Sequence, residues 1–196
     1  FEMYGAWYRG ASRLNSIRDK DGNLIVAAQD PPRNGGRTTL IGTRLDLTDD
    51  YADPRRGVRL DVTRTQSPSR GSGSNYYVMD YNATGYVPFA PRNTLAINLL
   101  RSDAFVLSRG ETDPAALQAQ SGLNCAGIPD PTQRQFCNDV IANSIANNKF
   151  GTATTLGGFS RLRSYPQGRY QGAHSMFLGA EFRWNVTEER RPFDIF

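Results

Sequence analysis

Along most of this chain, polar and apolar residues alternate one by one, and that period of two is the signature of a half-buried strand. In residues 39–48, Ile41, Thr43, Leu45 and Leu47 share one face, while Gly42, Arg44, Asp46 and Thr48 share the other. In 57–65, Val58, Leu60 and Val62 oppose Arg59, Asp61, Thr63 and Thr65. Residues 76–89 set Tyr77, Met79, Tyr81, Ala83 and Val87 against Asp80, Asn82, Thr84 and Tyr86. In 94–101, Leu95, Ile97 and Leu99 oppose Ala96 and Asn98. Residues 173–187 set Met176, Leu178, Ala180, Phe182, Trp184 and Val186 against Ser175, Gly179, Glu181, Arg183 and Asn185. Residues 1–9 fit as well, with Phe1, Met3 and Trp7 on one side. The pattern predicts an all-β, antiparallel chain with about five full strands and part of one more at each end.

A sheet with one solvated face in a soluble protein alternates in the same way, and two further features favour a membrane barrel. The predicted strands run to about 10–15 residues, against a mode of about 5–6 in soluble sheets. Aromatic residues also gather near strand ends (Tyr76, Tyr77, Tyr86, Phe89 and Trp184), as they do in interfacial girdles. Connections alternate long and short. The long ones are the polar stretch 10–37, the loop SPSRGSGS and the excursion 109–172; the short ones are DDYADPRRG, FAPRN and the charged turn TEERRPF. Outer-membrane barrels have short periplasmic turns and longer extracellular loops, so this parity predicts that the long loops lie outside the cell.

The excursion 109–172 has structure of its own. Asp113-Pro114 and Asp130-Pro131 are helix starts, with Asp as N-cap and Pro in the first turn. The second is followed by Phe136, Val140, Ile141 and Ile145 at helical spacing. Cys125 and Cys137 lie in the same stretch, and the only histidine, His174, is remote from both. A zinc site needs more ligands close by, so a local disulfide is the better reading, and it implies an oxidising compartment.

Composition narrows the picture further. The chain has 196 residues, 38% of them hydrophobic, and a mean hydropathy of −0.54. No run approaches the roughly 18 apolar residues that a transmembrane helix needs, whereas barrel strands spend every second residue on a polar lumen. The formal charge of +4 comes with scattered arginines, among them Arg33, Arg37, Arg44, Arg55, Arg56, Arg59, Arg64 and Arg70, and acids stand near them. This is no basic helix or aromatic RNA-binding motif, so no nucleic-acid partner is expected. His174 has no Ser or Asp at a telling spacing and reads as a polar residue at a strand end near the outer interface. Glu188, Glu189, Arg190 and Arg191 read as a solvated turn, and Gly71-Ser72-Gly73-Ser74 lacks the lysine of a phosphate-binding loop. The residues predict no catalytic group, metal, cofactor or small-molecule substrate. The chain begins at Phe1 without an initiator Met or a signal peptide, so an exported protein would have its signal elsewhere.

The end of the long excursion, LGGFSRLRSYPQGRY, resembles the signature of the BamA/TamA-like outer-membrane assembly-barrel superfamily (the bacterial surface antigen family). That family's longest extracellular loop carries an aliphatic-Arg-Gly-aromatic tetrapeptide. Here the matching residues are Leu162, Arg163, Ser164 and Tyr165, with Ser164 where the family has glycine, preceded by Gly157-Gly158 and followed by Gly168-Arg169-Tyr170. The following GAEFRWNV is similar to the family strand whose Glu faces the lumen and holds the loop arginine; Glu181 matches it. Upstream, DLTDDYADPRRGVRLDVT resembles the family's Asp-rich periplasmic turn. The resemblance covers most of 38–186 and is most specific at 156–183.

The resemblance implies a sixteen-stranded transmembrane β-barrel in a bacterial outer membrane. All of 1–196 would form part of its one barrel domain, about strands seven to thirteen, with 109–172 as a long extracellular loop folded into the lumen. It also implies a second acid for the loop arginine, from a strand beyond Phe196. The implied function is insertion or translocation of other proteins, without catalysis or cofactor, and with outer-membrane lipids and other outer-membrane or periplasmic proteins as partners. Two alternatives are a non-catalytic structural barrel subunit of a larger outer-membrane complex and the barrel part of a fused patatin-like lipase. Ordering a long loop costs about 1–2 kcal/mol per residue, and a guanidinium–carboxylate pair in a partly dehydrated lumen offsets part of that cost. The expected outcome is that Arg163 lies within salt-bridge distance of Glu181, which the coordinates check directly.

Overall fold

The structure, a computed structural model, describes residues 1–12, 15–18, 22–27, 34–67, 73–90, 93–159 and 161–184. Six strands form one antiparallel sheet: β1 (Glu2–Ser12), β4 (Asn34–Asp46), β5 (Gly57–Ser67), β6 (Asn75–Ala90), β7 (Asn93–Ser108) and β8 (His174–Trp184), paired in that order. These are the segments that the alternation predicts, and the chain is mostly β. The sheet is not closed: β1 and β8 are its two edges. Thr187, the turn TEERRPF, the acids and arginines at 188–191 and the expected partial strand after them lie outside the described residues. No described helix is long and apolar enough to cross a membrane.

Register turns the alternation of single strands into two continuous faces. One row pairs Leu45 with Leu60, Leu60 with Ala83, Ala83 with Leu99 and Leu99 with Leu178. The row one step along pairs Asp46 with Arg59, Arg59 with Thr84, Thr84 with Asn98 and Asn98 with Gly179. A shift of one residue in any pairing would mix these rows. On the apolar face Ile41 is 60% exposed, Leu178 69% and Phe182 58%, so nothing among the described residues covers it. On the polar face Leu100 is 1% exposed and Ser102 0%, because the long excursion lies on top of them. The expected aromatic girdle divides between the faces. Tyr77, Phe89 and Trp184 fall in register with the apolar rows, whereas Tyr76 and Tyr86 sit at the alternate positions, and Tyr86 is buried.

The β4–β5 connection shows why DDYADPRRG turns tightly. The carboxylate of Asp50 accepts from the amides of Ala52 and Asp53 at 2.8 and 3.0 Å, and that of Asp49 accepts from Arg55 and Arg56 at 2.9 and 3.1 Å. Gly57 then takes a φ of 114°, where a Cβ would run into the carbonyl of Leu47, so only glycine fits.

Besides Tyr86, Ala96, Leu100 and Ala104 buried on the polar face of the sheet, a cluster of buried apolar side chains among the described residues lies beyond the sheet, in its loops. The polar stretch 10–37 contains a short hairpin, β2 (Ser16–Arg18) with β3 (Leu24–Ala27), which the sequence pattern does not predict. It packs against α1 (Pro114–Ser121), a 3-10 turn (Cys125–Gly127) and α2 (Pro131–Phe150). Both helices start as their sequences predict: Asp113 caps Ala115 and Ala116, and Asp130 caps Thr132 and Gln133, each with Pro in the first turn. The small core gathers Ile17, Leu117, Leu123, Ile128 and Ile141 around the Cys125–Cys137 disulfide, with Val140 and Ile145 against it. Phe136, expected on the packed face of α2, is exposed instead. Cys137 and Ile141, four residues apart, occupy that face, and the disulfide fixes which side turns inward. In the chain-entropy view, closing this short loop stabilises the cap by about 3 kcal/mol. Replacing both cysteines by serine is expected to make 109–150 susceptible to limited proteolysis while leaving the sheet's circular-dichroism signal intact.

Candidate functional site

The candidate site is where the end of the long loop meets the polar face of the sheet. That face is laced with charge: Arg44 reaches Asp61 at 2.6 Å and Glu2 at 3.9 Å, and Arg59 pairs with Asp46 at 2.7 Å. The Asn98 amide donates to Asn82 and to Thr84, both at 2.8 Å. Nearer β8, Glu181 accepts from Arg183 at 3.0 Å, and the Arg183 guanidinium lies 5.4 Å from the centre of the Tyr86 ring.

From α2 the loop descends along this face. Gly151, at a φ of 74°, packs against Tyr76 and Ala104 so closely that a Cβ would stand 3.1–3.2 Å from them. Three residues later Thr154 makes the attachment. Its amide donates to the Ser102 hydroxyl at 2.9 Å, its own hydroxyl donates to Asp80 at 2.9 Å, and its carbonyl accepts from the Ser175 hydroxyl at 2.7 Å. Asp80, Ser102 and Ser175 are register neighbours on β6, β7 and β8, so a single loop residue ties three strands together. The returning chain is held by the Ala153 amide on the Gly172 carbonyl at 2.8 Å and by the Ala104 amide on the Ala173 carbonyl at 2.8 Å.

Beyond Thr154 the motif forms a narrow hairpin. Leu156 and Tyr170 exchange both backbone bonds at 3.0 Å, and the Gly158 amide donates to Tyr165 at 3.0 Å. Gly157 and Gly158 take φ values of 111° and 99° against the returning Pro166–Gln167 backbone and side chain, which explains the double glycine. Tyr165 and Tyr170 meet edge to face at 5.3 Å, and the Tyr165 hydroxyl raises the Tyr170 phenol above its ordinary range. Ser164, which occupies the glycine position of the resembled tetrapeptide, has no positive φ; the left-handed residue is its neighbour Leu162, at 52°. The left-handed turn therefore falls two residues before position 164.

The structure brings the motif and Glu181 to one place without pairing them as expected. Arg161, Leu162, Arg163, Glu181 and Arg183 all line an open cavity of about 500 Å³ on the polar face, floored by Thr84, Ala96 and Asn98. Within it Glu181 pairs with Arg183, while Arg163 is exposed and donates to the Phe159 carbonyl at 3.1 Å. The expected Arg163–Glu181 ion pair is thus corrected. Arg183 stands two residues along the same strand face and meets the carboxylate without any loop having to be ordered. The cavity holds three guanidinium groups against the one carboxylate of Glu181, and the Nε of Arg161 is buried and unpaired among the described residues. His174 sits at the start of β8, as expected, with Nδ1 2.8 Å from Asp103. Among the described residues no group of His, Cys, Asp and Glu has the arrangement of a metal site. The sequence pattern did not single out Thr154, Ser102 or Ser175, since small hydroxyl residues in a loop and on a polar strand face carry no spacing signal.

No protein-family model, curated protein or solved structure matches the chain. The likeness to the assembly-barrel superfamily therefore rests on the loop, strand and turn residues alone. The geometry makes its own prediction about the anchor. Thr154→Val leaves Asp80 without its donor and is expected to cost about 1–3 kcal/mol locally. Amide exchange across 151–173 should then speed up about tenfold, whereas Arg163→Ala should leave it unchanged; the reverse ranking would place the anchor at Arg163.

Proposed function

We propose that this chain is part of a transmembrane β-barrel of a bacterial outer membrane, with the apolar face of its sheet against lipid and the loop 109–172 folded over the lumen. One observation carries this reading: one face of a six-stranded sheet, built largely from Leu, Ile, Val, Phe, Met and Trp, is open, while the opposite face is largely polar and is covered over β6–β8 by the long loop. Soluble monomers rarely expose a contiguous apolar patch larger than a few hundred Å². The dimensions agree. From Met176 to Trp184 the outward run of β8 spans about 27 Å at roughly 3.4 Å per residue, or about 20 Å along the membrane normal at a tilt of 35–45°, close to the roughly 25 Å apolar band of such barrels.

In hydrocarbon the free edges of β1 and β8 must be paired, so the reading calls for further strands on both sides. The resemblance supplies their number as sixteen in all. It also supplies a carboxylate, from a strand beyond Phe196, for the excess guanidinium charge around Arg161 and Arg163. By the same resemblance the protein is a non-enzymatic factor for the insertion or translocation of other outer-membrane proteins. The strand–loop bonds at Thr154 and Ala173 support a loop whose base stays on the polar face during that work.

Two experiments test the two levels of the reading. Leu99→Arg and Leu178→Arg, made separately in the full-length protein, are expected to cost about 2–4 kcal/mol each at mid-membrane depth and to reduce its yield in the membrane fraction. Tyr8→Arg, at an exposed position on the opposite face, should be tolerated, and equal tolerance on both faces would argue for a soluble sheet. Depletion of the full-length protein should lower the content of other barrels in the outer membrane; unchanged content would leave a structural barrel subunit as the better reading.

A further inference from the structure

The apolar run on the outward face ends the same way on five of the six strands. Trp7 is followed two residues on by Arg9, Thr39 is preceded by Arg37, Val62 is followed by Arg64, Leu99 by Arg101, and Met176 is preceded by His174. These four arginines and His174 are all exposed, and all lie toward the long-loop end of the sheet. At the other end the outward positions near the turns are aromatic: Phe89, Phe182 and Trp184, with the first two rings 5.5 Å apart.

Two of these cations are placed where like charges should not meet. Arg9 and Arg37 are directly opposed across β1 and β4, a pairing that is destabilising unless something negative lies between or above the two groups. Among the described residues no carboxylate pairs with Arg9, Arg37 or Arg64. Arg101 differs, since Asp103 pairs with it at 2.8 Å, and the same carboxylate lies 2.8 Å from the Nδ1 of His174. Two of the other three guanidinium groups rest against aromatic rings, Arg37 at 5.9 Å from the centre of Trp7 and Arg64 at 4.6 Å from that of Tyr77, and Arg64 also donates to the Gln66 side chain at 3.2 Å. A guanidinium held face-on to a ring keeps N–H donors on its edge for a phosphate.

The geometry points to Arg9, Arg37 and Arg64 as a binding surface for the headgroup phosphates of an anionic lipid leaflet that meets the barrel at its long-loop end. The inference rests on the membrane reading above and adds to it the chemistry of the leaflet. Apolar side chains below the row take the acyl chains, the ring of Trp7 or Tyr77 sits at headgroup level, and the guanidinium above it takes the phosphate. Basic side chains near an anionic leaflet are the usual source of such selectivity. The absence of a comparable outward cation row beside Phe89, Phe182 and Trp184 among the described residues makes the surface one-sided.

The test uses the full-length protein, purified in detergent and reconstituted into vesicles of zwitterionic phospholipid alone or with about a third of a lipid bearing phosphate monoesters. Lipids that stay bound on extraction are counted by native mass spectrometry. The expected result is enrichment of the phosphate-bearing lipid about tenfold over its share of the bilayer, lost in the Arg9→Gln/Arg37→Gln/Arg64→Gln variant and in wild type at 1 M salt, where screening is short-ranged. Arg56→Gln, at the turn end, should retain it. Insertion into both vesicles with no enrichment would overturn the lipid surface and leave the barrel standing; insertion into neither would overturn both. The salt arm decides the matter with wild-type protein even where the triple variant does not fold.

Discussion

The apolar face of the sheet is the constraint on which the rest of the structure depends. A side chain such as Leu60 or Leu178 gains about 1.5–3 kcal/mol when fully withdrawn from water, and strand after strand places such residues in register on one side. No helix, loop or second sheet among the described residues lies over them. The small core that the chain does build, around Cys125, Cys137 and Ile141, belongs to the cap made by the hairpin β2–β3 and the helices. A sheet that leaves its apolar residues on an open face, with the loops stabilised by a disulfide and a separate cluster, is the organisation on which the proposed lipid contact rests.

The polar face follows from the same constraint. When one side of a sheet turns to hydrocarbon, charged and amide side chains collect on the other, where they must find partners in a confined space. The ladder Glu2–Arg44–Asp61, the pair Asp46–Arg59 and the cluster Asn82–Asn98–Thr84 are such partners. Beside them, on β6–β8, the long loop is held chiefly at Thr154, whose hydroxyl donates to the Asp80 carboxylate and whose amide donates to Ser102, while its carbonyl accepts from Ser175; only further down does it enter the arginine-rich cavity. The attachment near the loop's base is firm, and the motif tip is held by its own turns.

What the sequence made legible was whatever repeats with a fixed period or needs a special residue. Alternation located all six sheet strands, Asp-Pro located both helix starts, and the cysteine spacing located the disulfide. The strands Ser16–Arg18 and Leu24–Ala27 are three and four residues long, too short for alternation to stand out within a polar loop. The anchor at Thr154 was not legible, because its three partners come from residues 21–74 positions away and only register brings them together. Glu181 was rightly assigned to the polar face, but its partner depended on local competition. Arg183, two residues away on the same strand, prevails over Arg163 on a loop. The left-handed backbone falls at Leu162, two residues before Ser164, because a motif fixes composition more firmly than it fixes backbone torsions.

The central claim is that the outward face of the sheet contacts lipid, and site-directed spin labelling along β7 tests it most directly. Cys125 and Cys137 are joined in a disulfide, so, with any free cysteine outside residues 1–196 replaced, single cysteines introduced at Leu95 through Arg101 in the full-length protein can be labelled one at a time after reconstitution into vesicles. The account predicts a period of two in collision with dissolved oxygen. High oxygen and low nickel-chelate accessibility are expected at 95, 97 and 99, the opposite or neither at 96, 98 and 100, and rising chelate access at 101. High chelate accessibility at 97 and 99, or no alternation at all, would contradict it.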